Sequence, residues 1–309
     1  MSHSSRSPRT RLVVLGLTAV LGTLAACGVG SPGEQYSMPK AATSLQAPSP
    51  QSSAEMESLN TTAHLPVYWL AETDGTVSLY REFVEIQGAA DPIADSIGYM
   101  LSHKPQDPRY FSAWRPSATV GASVSPDNVI TVDLSEKAFG SKLDKGLAER
   151  TIAQLVYTAT AAASNAGILT EGLQPSVRIL VDGVSGYNAF GQIPLDHNFV
   201  RDTKLAAALW VIDPQFGRTT KSGQVTFHGV SAAFSGGEYW EITSRDPAKA
   251  SDAVVASGDL HTGGQSLDQD EFSFTYVLSP GEYTFSVWGV DAATGKHAGT
   301  ETKDFTVSK

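Results

Sequence analysis

The sequence predicts an α+β domain followed by an all-β sandwich. Helical and strand patterns alternate between His64 and Arg201, whereas after about Lys204 only short strand patterns recur. The chain has one cysteine in 309 residues, so no internal disulfide can form. Stability must therefore come from packed apolar cores, for which 41% hydrophobic residues suffice.

The first elements are a hairpin and a helix. The segments LPVYWLAE and TVSLYREF flank Asp74-Gly75, and Asp-Gly between two apolar runs is a strong hairpin signal. Asp91 then precedes apolar residues at spacings of three and four, which predicts an N-capped helix to about His103.

A second hairpin, a long helix and a strand complete this domain. ATVGASVS and VITVDLS flank a turn at residues 126–128. Residues from Lys145 onward place Leu147, Ile152 and Leu155 on one helical side, and Gly167 is a C-terminal stop signal. The segment SVRILVDG alternates like a strand that is buried on one side.

The C-terminal part has seven strand patterns and no helical one. Alternation is clean in EFSFTYVL and GEYTFSVWGVD, which are joined by a tight turn at residues 279–282. This pattern predicts a β-sandwich of immunoglobulin-like architecture without its disulfide. The other strand patterns are AALWVIDP, GQVTFHGVSAAF, EYWEITSR, AVVASGDL and ETKDFTVS.

The N-terminus resembles a bacterial lipoprotein signal. Three arginines precede an apolar run that ends at Ala26, followed by Cys27 in the sequence LAAC. This ending resembles a lipobox, in which the signal is cut before the cysteine and the thiol carries diacylglycerol. We therefore expect cleavage between Ala26 and Cys27, acylation of Cys27, and a lipid-anchored, extracytoplasmic location at the cell membrane. An ordinary secretory signal with an incidental cysteine is the alternative.

Three segments of the α+β part resemble the GerM-type sporulation and germination domain. They are Val132–Ser135, Gln154–Thr158 and Ile179–Gly183. The region after it resembles the immunoglobulin-like domain of bacterial spore germination proteins. The resemblance implies a ring-building-motif-like domain with two helices on a β-sheet. It also implies an assembly or binding role at the cell envelope, without an agreed catalytic site.

Four regions are therefore predicted along the chain. The linker between signal and folded part is rich in Ser, Pro, Gly and Ala, which is typical of a disordered tether. The predicted regions are a signal peptide (1–26), a tether (27–62), a GerM-type domain (63–202) and a sandwich (203–309).

Charge and motifs exclude several functions. A net charge of −10 argues against nucleic-acid binding. No two histidines have zinc-site spacing, so neither a metal nor another cofactor is expected. Asp133 and Asp182 could act as an acid–base pair, but both fall in or beside predicted strands, where a sheet-face or turn role is favoured. We expect a protein that is not an enzyme.

One segment is a candidate interaction surface. Tyr110, Phe111, Trp114 and Arg115 lie in RYFSAWRP, a stretch that fits neither helix nor strand. Exposed aromatic and arginine residues are common at protein interfaces. The resulting hypothesis is a lipoprotein that binds an unknown envelope protein or cell-wall partner. A peptidoglycan-acting enzyme and a solute-binding lipoprotein are the alternatives.

Overall fold

The structure is a computed structural model, and the predicted signal peptide, Cys27 and the predicted tether, except its last residue Thr62, lie outside the residues it describes. The described residues all belong to one compact unit. They are residues 62–117, 119–140, 142–232, 234–245, 253–260 and 270–309.

The first element is a long antiparallel hairpin of β1 (Thr62–Thr73) and β2 (Thr76–Gln87). Asp74 and Gly75 both have positive φ, 53° and 74°. Positive φ at both central residues is what a two-residue type I′ turn requires. The hairpin predicted from Asp-Gly is confirmed.

A four-stranded sheet and two helices follow. The sheet has the order β3-β4-β5-β8, and only the β4–β5 pair is parallel. The Asp91 carboxylate accepts hydrogen bonds from the backbone N–H groups of Ile93 and Ala94, which confirms the predicted helix cap. The elements are α1 (Pro92–Ser102), β3 (Val120–Val124), β4 (Val129–Leu134), α2 (Lys145–Asn165), β5 (Ser176–Val181), β6 (Asn188–Ala189), β7 (Ile193–Pro194) and β8 (Asn198–Phe199).

Helix α2 is buried on all sides from Thr151 to Ala163. Part of its surface packs in the main core with sheet residues such as Val132 and Ile179. Other side chains, including Tyr157, pack against the hairpin. Many alanines in the second half of α2 allow this close approach from both sides. Two helices packed with a β-sheet confirm the predicted α+β class.

The C-terminal part is a sandwich of two sheets. One sheet has the order β10-β16-β15-β12-β13 and the other β14-β11-β9. Their inward residues, including Phe227, Phe272 and Phe285, form a separate buried core. The strands are β9 (Leu209–Asp213), β10 (Thr219–Lys221), β11 (Gly223–Ser231), β12 (Glu238–Ser244), β13 (Ala253–Asp259), β14 (Asp270–Leu278), β15 (Gly281–Val290) and β16 (His297–Ser308).

The sandwich differs from the sequence pattern in two details. The turn at residues 279–282 joins strands of opposite sheets, because β14 pairs with β11 and β15 pairs with β12 and β16. Strand β10 has three residues, too few for alternation to reveal it. Among the described residues no helix is both long and apolar enough to cross a membrane. The predicted boundary at 202/203 stays a prediction.

Candidate functional site

The predicted interaction residues lie in one loop, residues 103–116, which we call the aromatic loop. Tyr110 and Trp114 are each only 7% exposed, so the surface exposure predicted for them is wrong. Phe111 is 37% exposed, and Arg115 is also exposed. The loop therefore presents Phe111 and Arg115 to solvent, while Tyr110 and Trp114 pack against the rest of the protein.

Trp114 is buried because the GerM-like part provides both a polar and an aromatic partner for it. Its Nε1 donates to the carbonyl oxygen of Thr151 on α2 at 3.1 Å. Its ring meets those of Phe139 and Phe190 edge-on, with centroids 5.1 and 5.3 Å away. Satisfied Nε1–H and edge-to-face aromatic contacts are what a buried tryptophan needs.

Phe111 is fixed through its backbone. Its N–H donates to the carbonyl oxygen of Leu70 at 2.7 Å, and its own carbonyl oxygen accepts from the Leu70 N–H at 2.9 Å. These two bonds form an isolated antiparallel bridge to β1. The partly exposed ring is therefore carried by a backbone that β1 holds in place.

The aromatic loop and the end of α1 surround a groove of about 630 Å³, which we call the loop groove. Its lining combines apolar and aromatic side chains with polar ones. None of the described residues that line it is acidic, although the chain carries a net charge of −10. The lining residues are Met100, Leu101, Ser102, His103, Lys104, Pro105, Gln106, Pro108, Tyr110, Phe111, Ser112, Trp114 and Pro116.

Tyr110 also belongs to a largely buried network of charged side chains beside the loop groove, which we call the loop–β16 network. It is formed by Glu82, Asp107, Arg109, Tyr110, Glu301 and Lys303. The Lys303 Nζ lies 3.1 Å from Asp107 Oδ2 and 2.9 Å from Glu301 Oε1. It also donates to the Tyr110 hydroxyl at 2.6 Å. Asp107 is fully buried, and Lys303 is 2% exposed. These contacts join the aromatic loop to the last strand of the sandwich.

Further contacts surround this ion pair. The Arg109 guanidinium donates to both Asp107 carboxylate oxygens, at 2.8 and 2.6 Å, and to the backbone carbonyl oxygen of Thr302. Glu301 accepts from the Tyr110 hydroxyl through one oxygen and from the backbone N–H of Val211 through the other. Nearly every polar atom of the network thus has a charged or hydrogen-bonded partner, as buried ions require.

The third carboxylate of the network, Glu82, has no cation in hydrogen-bond contact among the residues that the structure describes. Its two oxygens accept from the backbone N–H groups of Gln106 and Asp107, at 3.0 and 2.8 Å. Burial raises the pKa of Glu82, and these hydrogen bonds only partly oppose that rise. Burial alone would also raise the pKa of Asp107, but Arg109 and Lys303 hold it below its usual value.

Sequence reasoning missed Glu301 and Lys303. Both sit at inward-facing positions of β16, in register with the buried Phe305 and Val307. Charged residues at the inward parity of a strand are the signal that could have identified them. Asp107, the partner of Lys303, is 196 residues away in sequence, and Tyr110, the partner of Glu301, is 191 residues away, so no local pattern connects either pair.

A second groove, of about 460 Å³, lies where β2 and α1 meet the loop 215–219 of the sandwich. Two of its lining side chains, His64 and Glu85, are 55% and 66% exposed. Its wall is therefore open to solvent at these positions, unlike the enclosed cleft expected of a solute-binding protein.

The residues that could suggest catalysis have structural roles. Asp133 accepts from the backbone N–H of Gly183, and Asp182 from that of Glu136, so both carboxylates brace the turn after β5. Ser102 donates its hydroxyl hydrogen to the Gly98 carbonyl oxygen at 2.6 Å, and its Oγ lies 2.8 Å from His103 Nδ1. A serine that already donates elsewhere is not activated by its histidine. Across the described ranges, no three His, Cys, Asp or Glu residues cluster as a metal site.

Residues 66–186 match the family model described as Germane: sporulation and spore germination. This segment is a Germane domain. It contains most of β1, both helices and the aromatic loop, and the match confirms the resemblance to the GerM-type domain. The β-rich part that follows the Germane domain agrees with the predicted immunoglobulin-like sandwich.

Solved structures give weaker likenesses. The tandem GerMN domains of the sporulation protein GerM from Bacillus subtilis are 17% identical, with a TM-score of 0.36 and 48% of each chain covered. The chain thus spans about half the length of that structure. The first GerMN domain alone is 13% identical, with a TM-score of 0.30, over 40% of this chain and 85% of that one. A comparison with curated proteins finds no match.

Proposed function

We propose that this protein is a lipid-anchored, non-enzymatic envelope protein that binds an envelope partner through the loop groove. The observation that carries the proposal is the loop groove itself, a cleft of about 630 Å³ lined by apolar, aromatic and polar side chains, with a partly exposed phenylalanine among them. The Germane domain that contains this groove belongs to a family described by sporulation and spore germination, which supports a role in the envelope.

The lipid anchor rests on the sequence around Cys27. A variant Cys27→Ala keeps the apolar signal but removes the only thiol, so the chain should no longer fractionate with membranes. Ser31→Ala, four residues downstream, is the matched control and should remain with the membrane. Equal membrane retention of both variants would contradict the anchor.

The groove has the physical features of a binding site. A residue whose backbone is already ordered needs less further ordering on binding, and its exposed apolar surface can be buried by a partner. Phe111 meets both conditions, since Leu70 holds its backbone and the residue is 37% exposed. Lys104 on the rim adds one exposed cation to a surface without acidic side chains.

In-cell crosslinking followed by mass spectrometry tests the binding role. The comparison is between the wild type, Phe111→Ser and Val277→Ser, a matched control on the sandwich where the side chain is 72% exposed. We expect Phe111→Ser to weaken capture of one specific envelope partner about 10- to 30-fold, as for a hot-spot aromatic worth about 2 kcal/mol. Capture that is unchanged in Phe111→Ser, or lost equally in Val277→Ser, would refute the groove as the site.

A further inference from the structure

Within the aromatic loop, the Germane domain holds the backbone on both sides of residues 108–110, and the sandwich holds side chains between and at these points. Glu82 holds the backbone at Gln106 and Asp107, and β1 holds Phe111. Between these points, the side chains of Asp107, Arg109 and Tyr110 all contact residues of β16. The middle of the loop therefore depends on a strand that lies nearly 200 residues later in the sequence.

We infer that Lys303 and Glu301 are positioning residues for the loop groove: they hold Asp107 and Tyr110 so that the aromatic loop keeps its binding conformation. The contacts of the loop–β16 network support the statement that these two residues hold the loop conformation. That this conformation is the one that binds rests on the function proposed above.

The arrangement gives Lys303 a role that no other described side chain of the network duplicates. Its ammonium contacts Asp107, Tyr110 and Glu301 together, and it also lies 4.3 Å from the centroid of the Tyr110 ring. Without it, Glu301 and the Tyr110 hydroxyl lose their buried cation, and only Arg109 remains on Asp107. Leaving buried carboxylates undercompensated makes an alternative, more solvated loop conformation favourable.

The loop–β16 network supports the wall of the loop groove through Tyr110. Tyr110 lines the groove and is the residue immediately before Phe111. Its ring also stacks on that of Tyr80 on β2, with centroids 5.1 Å apart. A shift of Asp107 or Tyr110 toward water would therefore move the groove wall and the backbone that carries Phe111.

Hydrogen exchange of the full chain tests the inference, with Lys303→Met as the variant. Arg245→Met is the matched control, because it removes an ion pair with Asp304, the residue that follows Lys303 on β16. The side chains of Arg245 and Asp304 are 45% and 33% exposed, so this ion pair is not buried. Amides of α2 and of the β11–β14 pair report global unfolding, so in Lys303→Met they should exchange faster only by the factor that corresponds to the lower free energy of unfolding. The Tyr110 and Phe111 amides should exchange at least about tenfold faster beyond that factor, because the loop leaves its native conformation. Arg245→Met should change all of these rates by no more than the few-fold that an exposed ion pair accounts for.

Two outcomes would overturn the inference. One is unchanged exchange at Tyr110 and Phe111; the other is a uniform increase over the whole chain, which would mean only lower global stability. If Lys303→Met does not fold, Glu301→Gln, which keeps the side-chain shape, replaces it with the same expectation. Because exchange needs no partner, a local increase with unchanged partner capture would refute the function proposed for the groove but not the positioning role.

Discussion

A double-mutant cycle on Asp107 and Lys303 measures how strongly β16 is coupled to the aromatic loop. Both side chains are almost fully buried, with Nζ and Oδ2 3.1 Å apart. Removing one partner of a buried ion pair costs about 3–5 kcal/mol, because the other charge stays buried without compensation. Asp107→Asn and Lys303→Met should each lower the free energy of unfolding by about that amount.

The double variant should cost much less than the sum of the two single variants. We expect a coupling energy of about 2–3 kcal/mol, at the upper end of the range for residues in contact. Urea unfolding followed by tryptophan fluorescence gives these values. Total stability of a domain is about 5–15 kcal/mol, so the single variants should remain measurable.

A second cycle on the same strand provides the reference. Arg245 and Asp304 form an ion pair at 2.8 Å, but both side chains are partly exposed. Its coupling should be about 0.2–1 kcal/mol, since water and salt screen exposed pairs. A coupling for Asp107 and Lys303 no larger than this reference would refute the reasoning that burial makes the network strong.

Three further predictions concern packing and titration. Ser96→Ala should be neutral or stabilise the protein by up to about 1 kcal/mol in thermal unfolding, because the fully buried Ser96 hydroxyl has no hydrogen-bond partner in the described part of the chain. A loss of stability greater than about 1 kcal/mol would contradict this expectation. Gly229→Ala should lower the free energy of unfolding by about 1–3 kcal/mol or more, because a Cβ at this position would lie 2.2 Å from the Phe272 ring. Gly121→Ala should lower it much less, because the nearest atom to its Cβ would be 3.7 Å away. Equal losses of stability in the two variants would be evidence against this packing. Since the folded-state pKa of Glu82 is raised by burial, its contribution to stability falls as pH rises from 4.5 through that pKa. The difference in unfolding free energy between wild type and Glu82→Gln should change in this pH window, and a constant difference would exclude the assigned titration.

Local signals predicted the local structure. Three predicted features are present in the structure: the Asp91 cap, the Asp74-Gly75 turn and the apolar face of α2. Each depends on residues that are only a few positions apart in the sequence. Such signals act through short-range sterics and hydrogen bonds, which the sequence contains directly. Strand alternation predicted seven sandwich strands for the same reason.

The burial of Tyr110 and Trp114 depends on contacts with residues that are distant in sequence, and the sequence pattern could not show these contacts. The aromatic loop looked like an exposed surface segment because it carries arginines and prolines without a periodic pattern. Trp114 is buried by α2, Phe139 and Phe190, and Tyr110 by Lys303 and Glu301. These partners come from distant parts of the chain, so burial could not be inferred from the loop alone.

The same limit applies to the turn at residues 279–282. A tight turn between two alternating strands suggests that they pair with each other, yet here β14 and β15 enter opposite sheets. The partner of a strand depends on how the inward faces of the two sheets pack against each other. Here Phe272 of β14 and Phe285 of β15 pack into the same core from opposite sheets. Alternation gives the inward face of a strand but not its partner.

The proposed function requires that the loop groove binds a component of the host cell envelope. Hydrogen exchange of the full chain, with and without a purified envelope preparation from its host, tests this binding. We predict that added protection is confined to residues 100–116 and is lost in Phe111→Ser. Protection found only on the sandwich, or no protection anywhere in the described residues, would contradict the claim.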